Sequence, residues 1–268
     1  MTRAIVLTST MRRHVFVAET LADRLDVVAV WQERKSFEPL RYAASADDEA
    51  VITRHFDARQ QSEDAFFGAH DAVRRAPSVV VDPGGCNHPD AIEAMRAMAP
   101  EVVLVFGTGL LKPALLDQFP GRAVNIHLGL SPYYRGAGTN FWPLVNGEPE
   151  YCGATIHMLD GGVDTGPVIA HVRPEIAAGD GPHDIGNKTI VAAASALADA
   201  ADALTRGRLN PVPQPPGGRV YKRADFSADA VRRLYHNFER GMVPEYLANR
   251  AHRDAALSLV HMGAACPP

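Results

Sequence analysis

Residues 4–31 read AIVLTSTMRRHVFVAETLADRLDVVAVW. Two short apolar runs, 4–9 and 26–31, flank a segment whose apolar residues fall at 15, 17, 18, 21, 22 and 25. Short continuous runs rich in β-branched residues are the mark of buried strands, and spacing by three and four is that of one helix face. A strand, a helix over 13–25 and a second strand make a βαβ unit, whose strands must be parallel.

The alternation resumes beyond it. Runs 78–81 (SVVV) and 101–106 (EVVLVF) read as two more buried strands around a helix over 87–99, with Pro89 placed at its start. Runs 123–128, 153–159 and 168–176 continue as strands, and 184–205 is an Ala-rich helix that Asp180, Pro182 and Asp184 can open. The expected fold class is α/β, a Rossmann-like doubly wound and mainly parallel sheet with a short helical C-terminal tail. Residues 207–219 (GRLNPVPQPPGGR) are turn- and proline-rich and divide a main domain, 1–206, from an extension, 220–268. In that extension 225–250 is a charged helical pattern with Leu234, Phe238, Met242 and Leu247 as its apolar stripe.

The chain has 268 residues, 46% apolar and 22% charged, enough for one large core. Lys and Arg number 27 against 31 Asp and Glu, a net −4, which argues against a phosphate-gripping nucleic-acid binder. Cys86, Cys152 and Cys266 are an odd number without a C-x-x-C pair, so a reducing cytoplasm is expected and a disulfide framework is not. The N-terminus lacks the longer apolar run of a signal peptide, and no stretch reaches the roughly 18 apolar residues of a membrane span.

Several motifs fail on inspection. Gly107-Thr-Gly109 follows a strand but lacks the third glycine of a dinucleotide fingerprint. Gly129-Leu-Ser131-Pro-Tyr133 ends in Tyr where a nucleophile elbow needs Gly. Asp164-Thr165-Gly166 spells the aspartic-protease tripeptide, yet there is no second copy to share a proton with it. The eleven histidines show no tight ligand spacing, so no metal is expected.

Strand alternation puts Asn125 and His127 on one face, with Val124, Ile126 and Leu128 on the other. Two hydrogen-bonding heads therefore project together from the end of an apolar strand, where open α/β sheets bind ligands. Their segment, 125–147, reads NIHLGLSPYYRGAGTNFWPLVNG; it is followed by Gly153-Ala-Thr-Ile-His157 and by Gly162-Val-Asp164-Thr-Gly166-Pro-Val-Ile169. An Asn-x-His strand end, a Pro-x-x-Arg-Gly loop and an Asp-Thr-Gly turn in this order resemble the folate-dependent formyltransferase family, from about Glu101 to Thr189.

The resemblance implies that residues 1–206 are a catalytic domain passing a formyl group from N10-formyltetrahydrofolate to an amine, with Asn125, His127 and Asp164 as the catalytic trio. Asn125 and His127 can donate to the oxygen that becomes negative in the tetrahedral intermediate, a donor typically worth about 10²–10³ in rate. His127 with Asp164 can take the amine proton, typically worth about 10²–10⁴. The family's pterin pocket maps onto Phe106, Gly107, Leu110 and Leu111 on one side, and onto Asp160 and Val163 on the other. His157, amid alternating apolar neighbours, reads as structural, and Lys188 as solvated surface.

The acceptor is read from departures. The segment Thr8-Ser-Thr-Met-Arg-Arg13 lacks the phosphate-loop glycines of glycinamide-ribonucleotide enzymes. The stretch after 219 has a helical pattern where methionyl-tRNA formyltransferases carry a barrel. Arg135-Gly-Ala-Gly-Thr-Asn140-Phe-Trp142 is most similar to amino-sugar N-formyltransferases acting on nucleotide-linked sugars. This implies Tyr134 and Arg135 in the acceptor cleft, with Trp142 anchoring the following helix. The expected partners are a small-molecule amine and a second copy in a homodimer, with no nucleic acid and no membrane, although the tail matches none of the C-terminal elements that such sugar enzymes use for dimerisation or nucleotide binding. The alternatives are a methionyl-tRNA or other small-amine formyltransferase, a formyltetrahydrofolate hydrolase and a non-catalytic folate-binding module.

Overall fold

A computed structural model describes residues 1–35 and 38–263. The expected βαβ unit is β1 (Arg3–Ser9), α1 (Arg12–Arg24) and β2 (Asp26–Glu33), with β1 and β2 parallel. In α1 the residues Val15, Val17, Ala18 and Leu21 are buried, which is the stripe the spacing gives. Next come α2 (Ala46–Phe67), β3 (Ser78–Val81), α3 (Pro89–Ala97), β4 (Val102–Val105), the one-turn α4 (Pro113–Leu116) and β5 (Ala123–His127). A short β6 (Tyr134–Gly136) and α5 (Trp142–Val145) precede β7 (Ala154–Met158), β8 (Val168–Val172) and α6 (Pro182–Thr205). The chain then forms β9 (Arg219–Tyr221), α7 (Ala228–Glu239), α8 (Met242–Ala248) and α9 (Arg250–Asp254).

The main sheet has the order β3-β2-β1-β4-β5-β7-β8. Its first five strands are parallel, and β7 and β8 return antiparallel, so the expected mainly parallel doubly wound sheet is what forms. One face packs on α1 and α6, where Ala193, Ala194, Ala198, Ala200 and Ala201 allow close approach. The other carries Ile5, Leu7, Trp31, Val103 and Val105 against Met95 of α3 and Leu115 of α4.

Two expectations are corrected and one helix is added. The run 78–81 is not buried: β3 is an edge strand, and Val79 and Val80 are exposed because nothing pairs beyond it among the described residues. Helix α2 goes unread in the sequence because its apolar residues form no continuous stripe. Its start is nonetheless set by Ser45, whose hydroxyl accepts from the Asp48 N–H at 3.2 Å, with Asp47, Asp48 and Glu49 in the first turn. The helical pattern over 225–250 divides into two helices, α7 and α8, with Gly241 in the left-handed region between them, and α9 opens at its last residue. Cys86 and Cys152 are buried and unpaired; Cys266 lies outside the described residues.

The residues after 206 are bound closely to the rest. Val212 exchanges backbone hydrogen bonds with Val168 at 2.8 Å both ways, and β9 pairs in parallel with β6. Leu234, Met242 and Tyr246 share a core with Tyr134, Trp142 and Leu144. Where α2, α6 and α7 meet, His55 and His183 lie 4.7 Å apart by ring centroids, with Tyr235 Oη 3.2 Å from His55 Nδ1.

Candidate active site

Strand β5 sorts its residues as alternation requires. Val124 and Ile126 enter the core under α6, leaving Asn125 and His127 on the opposite face. The antiparallel register sets His157 across from Asn125 and Thr155 across from His127. Asn125 Nδ2–H donates to His157 Nε2 at 3.0 Å, and His157 Nδ1–H donates to the Met158 carbonyl at 2.8 Å. That second bond fixes the tautomer which leaves Nε2 free to accept. Thr155 Oγ1 donates to the Gly129 carbonyl at 2.6 Å and accepts from the Ser131 N–H at 2.9 Å, fastening the turn after His127.

The loop from β7 to β8 folds back over this face. Asp164 has φ +52°, a left-handed conformation that Asp tolerates better than most residues. Its Oδ2 lies 3.2 Å from His127 Nδ1, while Oδ1 is 3.6 Å from His157 Nε2, past hydrogen-bond range. Burial opposes charge on Asp164, but the hydrogen bond from the His127 imidazole outweighs it and holds the carboxyl well below its ordinary range. A Cβ on Gly166 would lie 1.8 Å from the Met158 carbonyl oxygen, so only glycine lets the loop close. The Gln214 side chain donates to the Asp164 carbonyl at 2.9 Å and to the Gly166 carbonyl at 2.7 Å. His127 Nε2 has the Tyr134 carbonyl as a loose neighbour at 3.3 Å.

The geometry thus brings together Asn125, His127 and Asp164, with His157 as a fourth member that the sequence reading assigned to structure. Its place follows from the antiparallel register of β5 and β7, which no local pattern announces. A carboxylate-oriented imidazole beside an amide donor can take up a proton and stabilise a developing oxyanion.

Residues expected at the pterin pocket separate into two groups. Gly107, with φ +77°, and Leu110, 68% exposed, present the turn after β4, and Val163 is 64% exposed on the loop between β7 and β8. Phe106 does not present itself: its side chain is buried edge-on to His14, its N–H donates to Leu7, and its carbonyl accepts from Thr8 Oγ1. Leu111 is buried in the core under α4. Asp160 is occupied with the Gly162 N–H and Thr165 Oγ1, which makes it the turn-former of the Asp164 loop. Glu33 was not singled out from the sequence. It is buried at the end of β2 and accepts the Gly109 N–H at 2.6 Å, shaping the turn after β4.

At the expected acceptor cleft, Tyr134 is corrected. Its ring is buried and its hydroxyl is spent on Glu148, Asn146 and Arg219, so only its carbonyl faces His127. Arg135 donates from Nη2 to the Gly217 carbonyl at 2.6 Å and holds the chain after residue 216. Trp142 opens α5, donates to the Ala137 carbonyl at 3.1 Å and stacks on Tyr221 with centroids 4.3 Å apart. That is the anchoring role expected of it.

Comparison with known proteins gives the family and the fold. The profile of the formyl transferase family matches residues 8–201, a span that includes Asn125, His127, His157 and Asp164. The chain belongs to this family. A methionyl-tRNA formyltransferase of Pelobacter propionicus is 37% identical over 124 residues, 46% of this chain and 39% of that protein. The chain therefore spans well under two thirds of the relative it matches. A sugar N-formyltransferase from a Shewanella species superposes with a TM-score of 0.54 at 16% identity, over 84% of this chain and 78% of the other. An N-formyltransferase from Helicobacter canadensis, solved with folinic acid and dTDP-3-aminofucose, gives 0.54 at 16% identity over 89% and 81%. At such identities these structures share the fold.

Proposed function

We propose that this chain moves a formyl group from N10-formyltetrahydrofolate to the primary amine of a small molecule, with a nucleotide-linked amino sugar as the favoured class. The observation that carries the reading is the His127–Asp164 pair at 3.2 Å with Asn125 on the same strand face. The donor supplies an activated formyl carbon. Gly107, Leu110 and Val163 would hold it, and the two exposed apolar side chains suit a flat ring system.

The chain's own residues account for the transfer. As the amine nitrogen bonds to the formyl carbon, the carbonyl oxygen gains charge. The Asn125 amide has a second N–H for it, the first being given to His157. His127 takes the proton that the amine sheds, and Asp164 stabilises the resulting imidazolium. The bond from the formyl carbon to N10 breaks, and tetrahydrofolate leaves with a proton on that nitrogen.

For the acceptor, the Arg135–Trp142 segment and the helical chain after 219 support the sugar reading, as do the solved sugar N-formyltransferases of the same fold. The matching methionyl-tRNA formyltransferase favours a second reading, an aminoacyl-tRNA acceptor. Among the described residues no helix is long and apolar enough to cross a membrane, and the proposed setting is the cytoplasm. Tetrahydrofolate release should be followed with dTDP-3-aminofucose, initiator methionyl-tRNA or buffer alone. Release dependent on the sugar supports the proposal; release dependent on the tRNA, or equal release in buffer, refutes the acceptor class.

A further inference from the structure

Asp164 reaches His127 from an exposed loop whose backbone is left-handed at that residue, and such a conformation persists only where its surroundings impose it. From inside the loop, Gly162 and Thr165 bond to Asp160, which shapes the turn but does not tie it to the sheet. The base of the loop is closed by the Met158 N–H, which donates to the Pro167 carbonyl at 2.9 Å, but the bend itself is held from fifty residues away. Both N–H bonds of the Gln214 amide are spent on the carbonyls that bracket the bend, those of Asp164 and Gly166. Gln214 is itself held in place two residues after Val212, which is bridged to Val168 at the start of β8. The amide therefore sits on a backbone splint whose other end is the strand that leaves the loop. Its Oε1 is buried without a hydrogen-bond partner, so the donor half alone accounts for the contact.

We propose that Gln214 is a positioning residue for the transfer: it fixes the bend that aims the Asp164 carboxylate at His127 Nδ1. The assignment rests on the catalytic reading above, but its test begins on the protein alone. Gln214→Met keeps the length and removes both donors. Gln214→Glu keeps the shape, and when ionised it puts an acceptor oxygen where Nε2 faced both carbonyls. The first readout is the downfield Nδ1–H proton resonance of His127, assigned by its absence from His127→Ala.

In Gln214→Met that resonance is expected to broaden or shift. Turnover should fall about 10- to 100-fold, the usual cost of a misplaced catalytic group, with both KM values within about threefold because no substrate contact is removed. In Gln214→Glu the resonance should return as the pH is lowered and the new carboxyl gains a proton to donate. A wild-type His127 resonance in Gln214→Met overturns the proposal, as does a turnover loss that follows the melting temperature alone. If Gln214→Met fails to fold, the titration of Gln214→Glu decides, and no pH-dependent return counts against the proposal. A moved resonance in a protein that formylates none of the amines tried upholds Gln214 as the clamp and faults the acceptor assignment instead.

Discussion

The paired histidines between α2, α6 and α7 give the protein an acid limb whose steepness can be calculated. Burial, His183 and Arg59 push His55 down to about 3; burial and Arg59 push His183 down to about 4. Both rings are therefore neutral in the folded protein and titrate near 6.5 once unfolded. Unfolding in the interval between takes up protons, so this contribution is complete above about pH 6.5 and is lost as the pH falls toward 4 and 3. Each fully engaged histidine contributes about 1.4 kcal/mol per pH unit. The pair, almost fully protonated in the unfolded chain at pH 5, contributes about 2.5 kcal/mol between pH 6 and pH 5. Urea unfolding of the wild type and of His55→Gln/His183→Gln should be followed at pH 7, 6 and 5. The carboxylates and the remaining histidines are common to both proteins, so the difference in slope isolates the pair. Parallel slopes would refute the reasoning, whatever the two proteins' stabilities at pH 7.

Asp164→Asn should keep the loop, since Asn also tolerates positive φ, while lowering kcat about 10²–10⁴-fold; burst and steady-state kinetics would show whether chemistry is the slowed step. His157→Ala removes the acceptor of the Asn125 amide and should lower kcat about tenfold or more with little change in donor KM, whereas His157→Gln should restore part of it. Glu33→Ala frees the Gly109 N–H and should raise the donor KM several-fold; equal donor binding by calorimetry would sink that link between β2 and the turn after β4. Gly166→Ala places a methyl 1.8 Å from the Met158 carbonyl and should cost at least about 2 kcal/mol by chemical denaturation.

What the sequence disclosed followed from periodicity. The runs 4–9, 26–31 and 101–106 are mostly apolar because helices cover both faces of the sheet there, and they and the run 123–128 each lie within a residue or two of the observed strand. Asn125 and His127 stand out because they are polar at alternate positions of an otherwise apolar strand. The reading failed where a residue's surroundings come from distant chain. Val79 and Val80 look buried until the sheet order places them on an edge. Tyr134 looks like a cleft residue until Asn146, Glu148 and Arg219 are folded around its hydroxyl. Gln214 sits among prolines that signal a spacer, and nothing local tells that its amide lands on the Asp164 loop.

The pairing of β6 with β9 also bears on synthesis. Residues 134–136 form a strand only when 219–221 lie beside them, and Gly136 and Gly218 allow approaches that no other residue would. A nascent chain released through Thr205 would hold every strand of the main sheet, yet its segment beyond His127 would lack the partner that shapes it. The parts of the site are thus made early and assembled late.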